Sequence, residues 1–369
     1  MVQNKERDWT VELMRIVGCL MVIGCHTVPG SIQNLSDRGG VNTGLLLSCF
    51  VGDGVAIFWA ITGFFLFSNF NYKKLLKRTA WRILLPYAVY TVFIFYLYDA
   101  FISHVPLTES LSHSAKEYFA LFCNALTLEV VPQHSEHLWY VVTYLILIAV
   151  SPLFCGFGIR TADDKVTAKW CVLFLVALLL LNDFSCRNTL GISHHGAGSL
   201  CGALIFVLYG NILYHNRDKI IWKGWIVLAP ILFVAITVLR YAVAAYNIGV
   251  ICWYTTFGII NTTLVAAFCQ SLSKIKATWT KPVTVLGSYT FAVYVVHFFV
   301  IQLLFSKGLF TKLSAEIIGA DNRNLFLCIL YHLTAIFIVF IVSIMLCVFI
   351  RFVRKGLLVF VAKLRTESR

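Results

Sequence analysis

Hydrophobic and polar positions along the chain are grouped on the scale of whole membrane spans. Apolar runs of about 20 residues, long enough for a helix to cross a bilayer, recur from residue 11 to residue 350. The pattern predicts ten helices, near residues 11–29, 45–68, 80–101, 137–156, 170–183, 195–214, 224–243, 249–270, 283–305 and 325–350. It indicates an all-α, polytopic transmembrane helix bundle with about ten spans.

Basic residues between these runs indicate the orientation of the bundle. With the N-terminus placed in the cytoplasm, 23 of the 30 Lys and Arg residues fall in cytoplasmic segments. Such a bias is typical of multi-pass membrane proteins and predicts that both termini are cytoplasmic. A single transmembrane domain is expected at 1–350. The basic and apolar segment 351–369 is expected to lie on the cytoplasmic leaflet, in contact with membrane lipids.

Composition narrows the class of protein further. Hydrophobic residues make up 59% of the chain and charged residues 13%, whereas soluble domains carry about a quarter charged residues. The net charge of +13 is explained by the topology-determining segments, so no nucleic-acid partner is predicted. The twelve cysteines form no CxxC pair and no zinc-ligand spacing, which predicts neither a disulfide framework nor a metal site. No sequence resembles a nucleotide-binding loop, which argues against a primary pump.

The first predicted helix carries ionisable residues inside its apolar run. Residues 12–26 read ELMRIVGCLMVIGCH and contain Glu12, Arg15 and His26. The eleven residues from Arg15 to His26 rotate a helix by about 20° net and rise roughly 16 Å, so these side chains share one face. Such a face should lie against protein or a water-filled cavity. A structural ion pair with a hydrogen-bonded histidine is one interpretation, and three such residues on one face favour a functional cavity.

Four other segments carry polar or aromatic groups into the predicted spans. They read FWAITGFF (58–65), KRTAWRILLPY (77–87), EHLWY (136–140) and LGSYTFAVYVVH (286–297). Each has an ordinary explanation when taken alone: helix packing, positive-inside topology, an interfacial aromatic belt, and a buried histidine bonded to a neighbour.

Together and in this order, these segments resemble membrane acyltransferase family 3, polytopic O-acyltransferases that modify cell-surface carbohydrates. The similarity runs from about residue 8 to residue 300. It begins with the first-helix acidic residue, Arg and His, and ends with the Gly287, Tyr294 and His297 spacing. Thr62 stands where the family has Ser, and the arginines before the third span are four residues apart instead of three. The chain resembles the stand-alone form, without a fused extracytoplasmic domain.

The resemblance implies transfer of an acyl group, usually acetyl, from cytoplasmic acetyl-CoA to a hydroxyl of an extracytoplasmic or lipid-linked carbohydrate. It implies a multi-pass enzyme of a bacterial plasma membrane. Cations are needed for the phosphates of coenzyme A, and the candidates are Arg15, Arg78, Arg82, Lys73 and Lys74. An imidazole suits proton transfer near neutral pH, and the catalytic candidates are His26, Glu136 and His137. The remaining pocket candidates are Glu12, Trp139, Tyr140, Tyr294 and His297.

Two other classes of function also use polar groups inside a membrane. A secondary transporter or flippase for a lipid-linked glycan precursor is the main alternative. The sequence shows no repeat symmetry and no matching pair of Gly- or Pro-broken helices, which argues against it. A sensing or binding module is a third interpretation, and no output domain supports it. The sequence therefore favours the acyltransferase.

Overall fold

The computed structural model describes residues 8–27, 41–67, 71–106, 108–110, 112, 136–156, 200–246, 253–275, 279–319 and 324–367. Within these ranges the chain is helical and contains no β-strand. The α-helices are α1 (Trp9–Thr27), α2 (Thr43–Val51), α3 (Gly54–Leu66), α4 (Tyr72–Thr79), α5 (Leu85–Tyr98), α6 (Trp139–Gly156), α7 (Leu200–His215), α8 (Trp225–Ala245), α9 (Trp253–Ser271), α10 (Thr280–Gly287), α11 (Thr290–Ser306), α12 (Leu309–Ile317) and α13 (Leu325–Glu367). Single π-helical turns at Ala80–Leu84 and Asp99–Ser103 flank α5, and short 3₁₀ turns lie at Glu136–Leu138, Arg217–Ile220 and Leu272–Lys274.

These helices coincide with nine of the ten predicted ranges, and the fifth, near 170–183, lies outside the described residues. Four described helical spans are long and apolar enough to cross a membrane: α1, α2 with α3, α8, and the first part of α13. The number rises to six when two bent helix pairs are each counted as one span. The all-helical class is confirmed, whereas the ten-span count and the cytoplasmic termini stay predictions.

The last helix, α13, is continuous over 43 residues. It therefore runs past residue 350, where the sequence suggested that a separate tail begins. A helix of this length extends about 65 Å, roughly twice the hydrocarbon thickness of a bilayer. The basic second part of α13 consequently extends beyond the apolar part that can span.

Close backbone contact joins α3 to α7. A Cβ atom added at Gly63 would lie 2.0 Å from the carbonyl oxygen of Val207, and one added at Gly210 would lie 2.1 Å from that of Ala60. No side chain fits either position, so the two helices cross at glycine. Small residues at such crossings are typical of membrane helices. The packing interpretation of the TGFF segment is thus confirmed for Gly63.

Helix α1 lies at the centre of the described bundle. It packs against α2, α3, α9, α10, α11 and α13. Its apolar side chains, Met14 and Ile23 among them, belong to the largest cluster of buried residues, together with Phe64 of α3 and Val293 of α11. Because neighbouring helices surround α1, its ionisable residues are positioned by protein contacts.

Candidate active site

The polar face of α1, defined by Glu12, Arg15 and His26, is covered by the consecutive helices α10 and α11, which are bent by 61° relative to each other. At one end, a Cβ atom added at Gly287 would lie 2.5 Å from Oε2 and 2.6 Å from Cβ of Glu12. At the other end, the rings of His26 and His297 are 5.4 Å apart between centroids. Both ends of the face therefore contact α10 or α11, while the Arg15 and His26 side chains stay partly exposed.

Glu12 and Arg15 form an ion pair at one end of the polar face. Nη1 of Arg15 donates to Oε1 of Glu12 over 2.6 Å, across one helical turn. The Glu12 side chain is 3% exposed and that of Arg15 is 30% exposed, and the guanidinium also lies 5.7 Å from the centroid of the Phe65 ring. Glu12 therefore orients Arg15 and balances its charge, while the Arg15 side chain stays partly exposed.

A histidine cluster lies at the other end of the polar face. It consists of His26, His137 and His297 with Phe298. Ring centroids are 5.0 Å apart for His137 and His297, 5.0 Å for His137 and Phe298, and 5.5 Å for His26 and Phe298. His26 is exposed, whereas His137 and His297 are 4% and 0% exposed. Glu136 precedes His137 in the same 3₁₀ turn, and its side chain lies outside the described part of the chain.

Backbone carbonyl groups hold the two buried imidazoles. Nε2 of His137 lies 3.0 Å from the carbonyl oxygen of Val295. Nδ1 of His297 lies 2.7 Å from that of Tyr294. The second nitrogen of each ring is buried and has no hydrogen-bond partner among the described residues. The cluster therefore contains two buried polar atoms without a hydrogen-bond partner among the described residues, which is uncommon in folded proteins.

Tyr294 connects the histidine cluster to a layer of aromatic side chains. Its hydroxyl donates to the carbonyl oxygen of His137. Its ring lies 5.6 Å from that of Tyr140, which in turn lies 4.2 Å from Trp59 of α3. Trp139 is half-buried at the start of α6. The structure thus brings together most of the pocket residues expected from the HLWY and YVVH segments.

The basic segment between α3 and α5 begins with a capped helix. The side chain of Asn71 accepts from the backbone N–H of Lys74 at the start of α4, and the chain continues into the π turn Ala80–Leu84. Four candidate donor-binding side chains occupy exposed positions on this segment: Lys73, Lys74, Arg78 and Arg82. They lie at the surface of the described bundle, unlike Arg15, which packs within it.

The sequence did not predict a buried ion pair that joins Asp53 to Arg240. Nη1 of Arg240 in α8 lies 3.0 Å from each carboxylate oxygen of Asp53. Nδ2 of Asn261 in α9 donates to Oδ2 of Asp53 over 2.7 Å. Asp53 occupies the break between α2 and α3 and is 0% exposed. The signal in the sequence that could have indicated this pair is an acidic and a basic residue, each placed inside a different apolar run.

His332 of α13 was also missed. It is 2% exposed, and its Nε2 lies 3.0 Å from the carbonyl oxygen of Gly24. The contact is made on α1 two residues before His26. A histidine in the most apolar span was the signal that could have drawn attention to it.

Comparison with known families supports one class of protein. A family model described as an acyltransferase domain matches residues 8–352. The chain belongs to acyltransferase family 3. No match was found among curated proteins or among solved structures.

This acyltransferase family 3 member is thus a membrane acyltransferase, and the matched range runs from the start of α1 into α13. Both ends of the polar face and the histidine cluster lie within that range. Among the described residues, no group of three or more His, Cys, Asp or Glu side chains is arranged to hold a metal ion. The described site combines imidazole, guanidinium, carboxylate and hydroxyl groups.

Proposed function

We propose that the protein transfers an acyl group, acetyl in the first instance, from acyl-CoA to a hydroxyl of an extracytoplasmic or lipid-linked carbohydrate. The observation that supports this proposal is the arrangement of α1 in a membrane acyltransferase. A partly exposed arginine lies at one end of the polar face that α10 and α11 contact, and an exposed imidazole lies at the other end. Anion binding and proton transfer are the two tasks that such a reaction requires.

In this proposal the basic residues bind the acyl-CoA donor. A guanidinium forms paired hydrogen bonds with phosphate oxygens, and Arg15 is oriented for this by Glu12. Lys73, Lys74, Arg78 and Arg82 would supply further cations at the same membrane surface. The pantetheine arm of coenzyme A is a long and flexible chain. It would follow the rise of roughly 16 Å from Arg15 and bring the thioester to the histidine cluster.

Proton transfer falls to His26. Its imidazole takes the proton of the carbohydrate hydroxyl as the oxygen attacks the thioester carbonyl carbon. The carbon–oxygen bond forms and the carbon–sulfur bond breaks. The thiolate that leaves takes the proton from His26, so the products are the ester and free coenzyme A. His137 and Glu136 are proposed to assist beside the acceptor.

The distribution of basic residues supports the proposed orientation. With Arg15 and the basic segment before α5 at the cytoplasmic surface, the donor would bind from the cytoplasm and the acceptor from outside. A bacterial plasma membrane, with its extracytoplasmic and lipid-linked glycans, suits this orientation. The basic second part of α13 would then contact anionic lipids at the cytoplasmic leaflet.

A transfer assay with purified protein tests the proposal. The protein is incorporated in lipid nanodiscs and incubated with acetyl-CoA labelled in the acetyl group and a panel of octyl glycosides as acceptors. We expect labelled glycoside and an equal amount of free coenzyme A from the wild type, and neither from His26→Ala. His215→Ala is the matched control, because His215 lies outside the cluster and bonds the carbonyl oxygen of Asn211.

Two outcomes would contradict the proposal. The absence of glycoside labelling, thioester turnover and acyl-enzyme alike from the wild type would favour a transporter of a lipid-linked glycan precursor. Transfer by His26→Ala at the rate of His215→Ala would remove His26 from the reaction. A parallel series of longer acyl-CoA donors measures the preference for acetyl.

A further inference from the structure

Hydrogen bonds to the backbone determine where the proton sits on each buried imidazole. A carbonyl oxygen can only accept, and a neutral imidazole carries one N–H. His297 directs Nδ1 at the carbonyl oxygen of Tyr294 over 2.7 Å, so its proton is on Nδ1 and Nε2 is a bare acceptor. His137 directs Nε2 at the carbonyl oxygen of Val295 over 3.0 Å, so its Nδ1 is the bare acceptor.

The two buried rings of the histidine cluster therefore each have one nitrogen that can only accept a hydrogen bond. Nε2 of His297 and Nδ1 of His137 are both buried, and both lack a partner among the described residues. The two rings are 5.0 Å apart, but two acceptors cannot bond each other without a proton. A buried acceptor is costly to leave without a donor, so a donor that reaches this place would stabilise the cluster.

The third ring of the cluster can supply that donor. His26 is 5.4 Å from His297 between ring centroids, which is close enough that a change in the orientation of the His26 ring would bring a nitrogen of each ring into hydrogen-bond range. Catalytic hydrogen bonds are often long in unliganded structures and shorten when substrate binds. A bond from the N–H of His26 to His297 would leave the second nitrogen of His26 without a proton. That nitrogen would be available to the hydroxyl of the carbohydrate.

We propose that His297 is a positioning residue, which accepts a hydrogen bond from His26 through Nε2 and thereby selects the reactive tautomer of His26. The proposal rests on the proposed function and deepens it. His26 takes the proton of the acceptor hydroxyl on its bare nitrogen and becomes an imidazolium. The bond to His297 stabilises that charge until the proton passes to the leaving thiolate. His297 itself gains and loses no proton, as with the third group of a catalytic triad.

Two amide substitutions separate this role from simple packing. Asparagine at 297 places its polar atoms near the position of Nδ1 and so keeps the bond to Tyr294, but offers no acceptor near Nε2. Glutamine reaches the position of Nε2 and can accept there. We expect His297→Asn to lower kcat by about 10- to 100-fold, the effect of losing one hydrogen bond to a charged group. We expect His297→Gln to remain within about fivefold of the wild type, and KM for acetyl-CoA to be unchanged in both.

The matched control is His332→Gln. His332 is a buried imidazole that also bonds a backbone carbonyl, that of Gly24 on α1. It has no place in the proposed reaction, so its loss reports on packing around α1. Rates are measured in nanodiscs with the octyl glycoside that the wild type acylates best, and coenzyme A binding is measured by calorimetry on each variant.

The outcomes distinguish this inference from the proposed function. Equal losses of kcat in His297→Asn and His297→Gln, or no loss in His297→Asn, would overturn the role of His297 while leaving the acyltransferase intact. A wild type that neither turns over acetyl-CoA nor binds coenzyme A would overturn both. A second measurement needs only the wild type and therefore tests the inference even if the variants fail to fold. NMR of ¹⁵N-histidine-labelled wild type should show His297 protonated at Nδ1 and His137 at Nε2, and a signal for His297 with the proton on Nε2 would refute the inference.

Discussion

Removing the charge of Arg15 should weaken the use of acyl-CoA, but the single substitution Arg15→Ala does not measure donor binding alone. It also takes the guanidinium away from Glu12, a carboxylate that is 3% exposed and 2.6 Å from it. Breaking a buried ion pair costs about 3–5 kcal/mol. Because Arg15 is itself 30% exposed, we expect a cost toward the lower end of this range. Loss of stability and loss of binding would then be mixed.

The double substitution Glu12→Gln/Arg15→Gln removes both charges together and keeps two hydrogen-bonding side chains in place. A hydrogen bond to a charged group contributes about 1.5–3 kcal/mol, so KM for acetyl-CoA should rise by about 10- to 150-fold. The kcat value should change less, because a contact with phosphate is similar in the bound substrate and in the transition state.

Three companion variants sharpen the measurement. Arg15→Lys keeps the charge next to Glu12 but lacks the planar fork of the guanidinium, so it should recover only part of the affinity. Glu12→Gln alone keeps an oxygen that can accept from Arg15 and so orient it, but removes the competing negative charge, and it should leave KM unchanged or lower it. Initial rates against acetyl-CoA, calorimetric titration with coenzyme A and thermal unfolding are recorded for each.

The reasoning is refuted by either of two results. If the double variant binds coenzyme A as tightly as the wild type and loses kcat instead, Arg15 acts on the reaction and not on the donor. If Glu12→Gln raises KM as much as the double variant does, the pair acts by maintaining the local structure of α1.

Three further predictions concern the other end of the site, the topology and the buried ion pair. His26→Ala should abolish transfer while coenzyme A binding by calorimetry stays as in the wild type; a loss of affinity equal to that of Arg15→Ala would mean that the polar face is a structural network. A cysteine introduced within 30–40 or 306–322 into a cysteine-free background should react with a membrane-impermeant reagent from outside intact cells, and labelling from the cytoplasmic side alone would reverse the predicted orientation. Arg240→Leu should lower the free energy of unfolding by about 3–5 kcal/mol. The double substitution Asp53→Leu/Arg240→Leu should restore much of that stability, because an apolar pair can replace a buried ion pair. Thermal unfolding in detergent measures both variants, and a double variant no more stable than the single one would contradict this prediction.

Local spacing was enough to predict several features of the site. Glu12 and Arg15 are three residues apart on one helix, so their ion pair follows from helical geometry alone. The eleven-residue spacing to His26 likewise places it on the same face. Long apolar runs predicted ten helices, and described helices occupy nine of those ranges. The prediction works because a chain in a bilayer has to satisfy the hydrogen bonds of its backbone within the segment.

Contacts between distant segments could not be read in the same way. The pairing of Asp53 with Arg240 joins residues 187 positions apart, and the sequence around either residue does not indicate the other as its partner. His332 contacts α1 across 308 positions. Neither pairing produces a periodic pattern in the sequence. Each depends on which helices lie side by side and on how far one helix is shifted along its axis relative to the other.

The sequence by itself determined the helical class, the membrane character and the shared face of Glu12, Arg15 and His26, since these depend on hydrophobic runs and on the fixed rise and rotation of one helix. Only the tertiary structure decided that α10 and α11 cover that face, that Gly287 is the residue small enough to lie against Glu12, and that His137 and His297 meet His26. The tautomers inferred for the two buried rings rest on the tertiary structure as well, because they depend on which carbonyl oxygen each ring nitrogen reaches. Helix geometry acts within a segment, whereas the site is made where segments far apart in the chain are packed together.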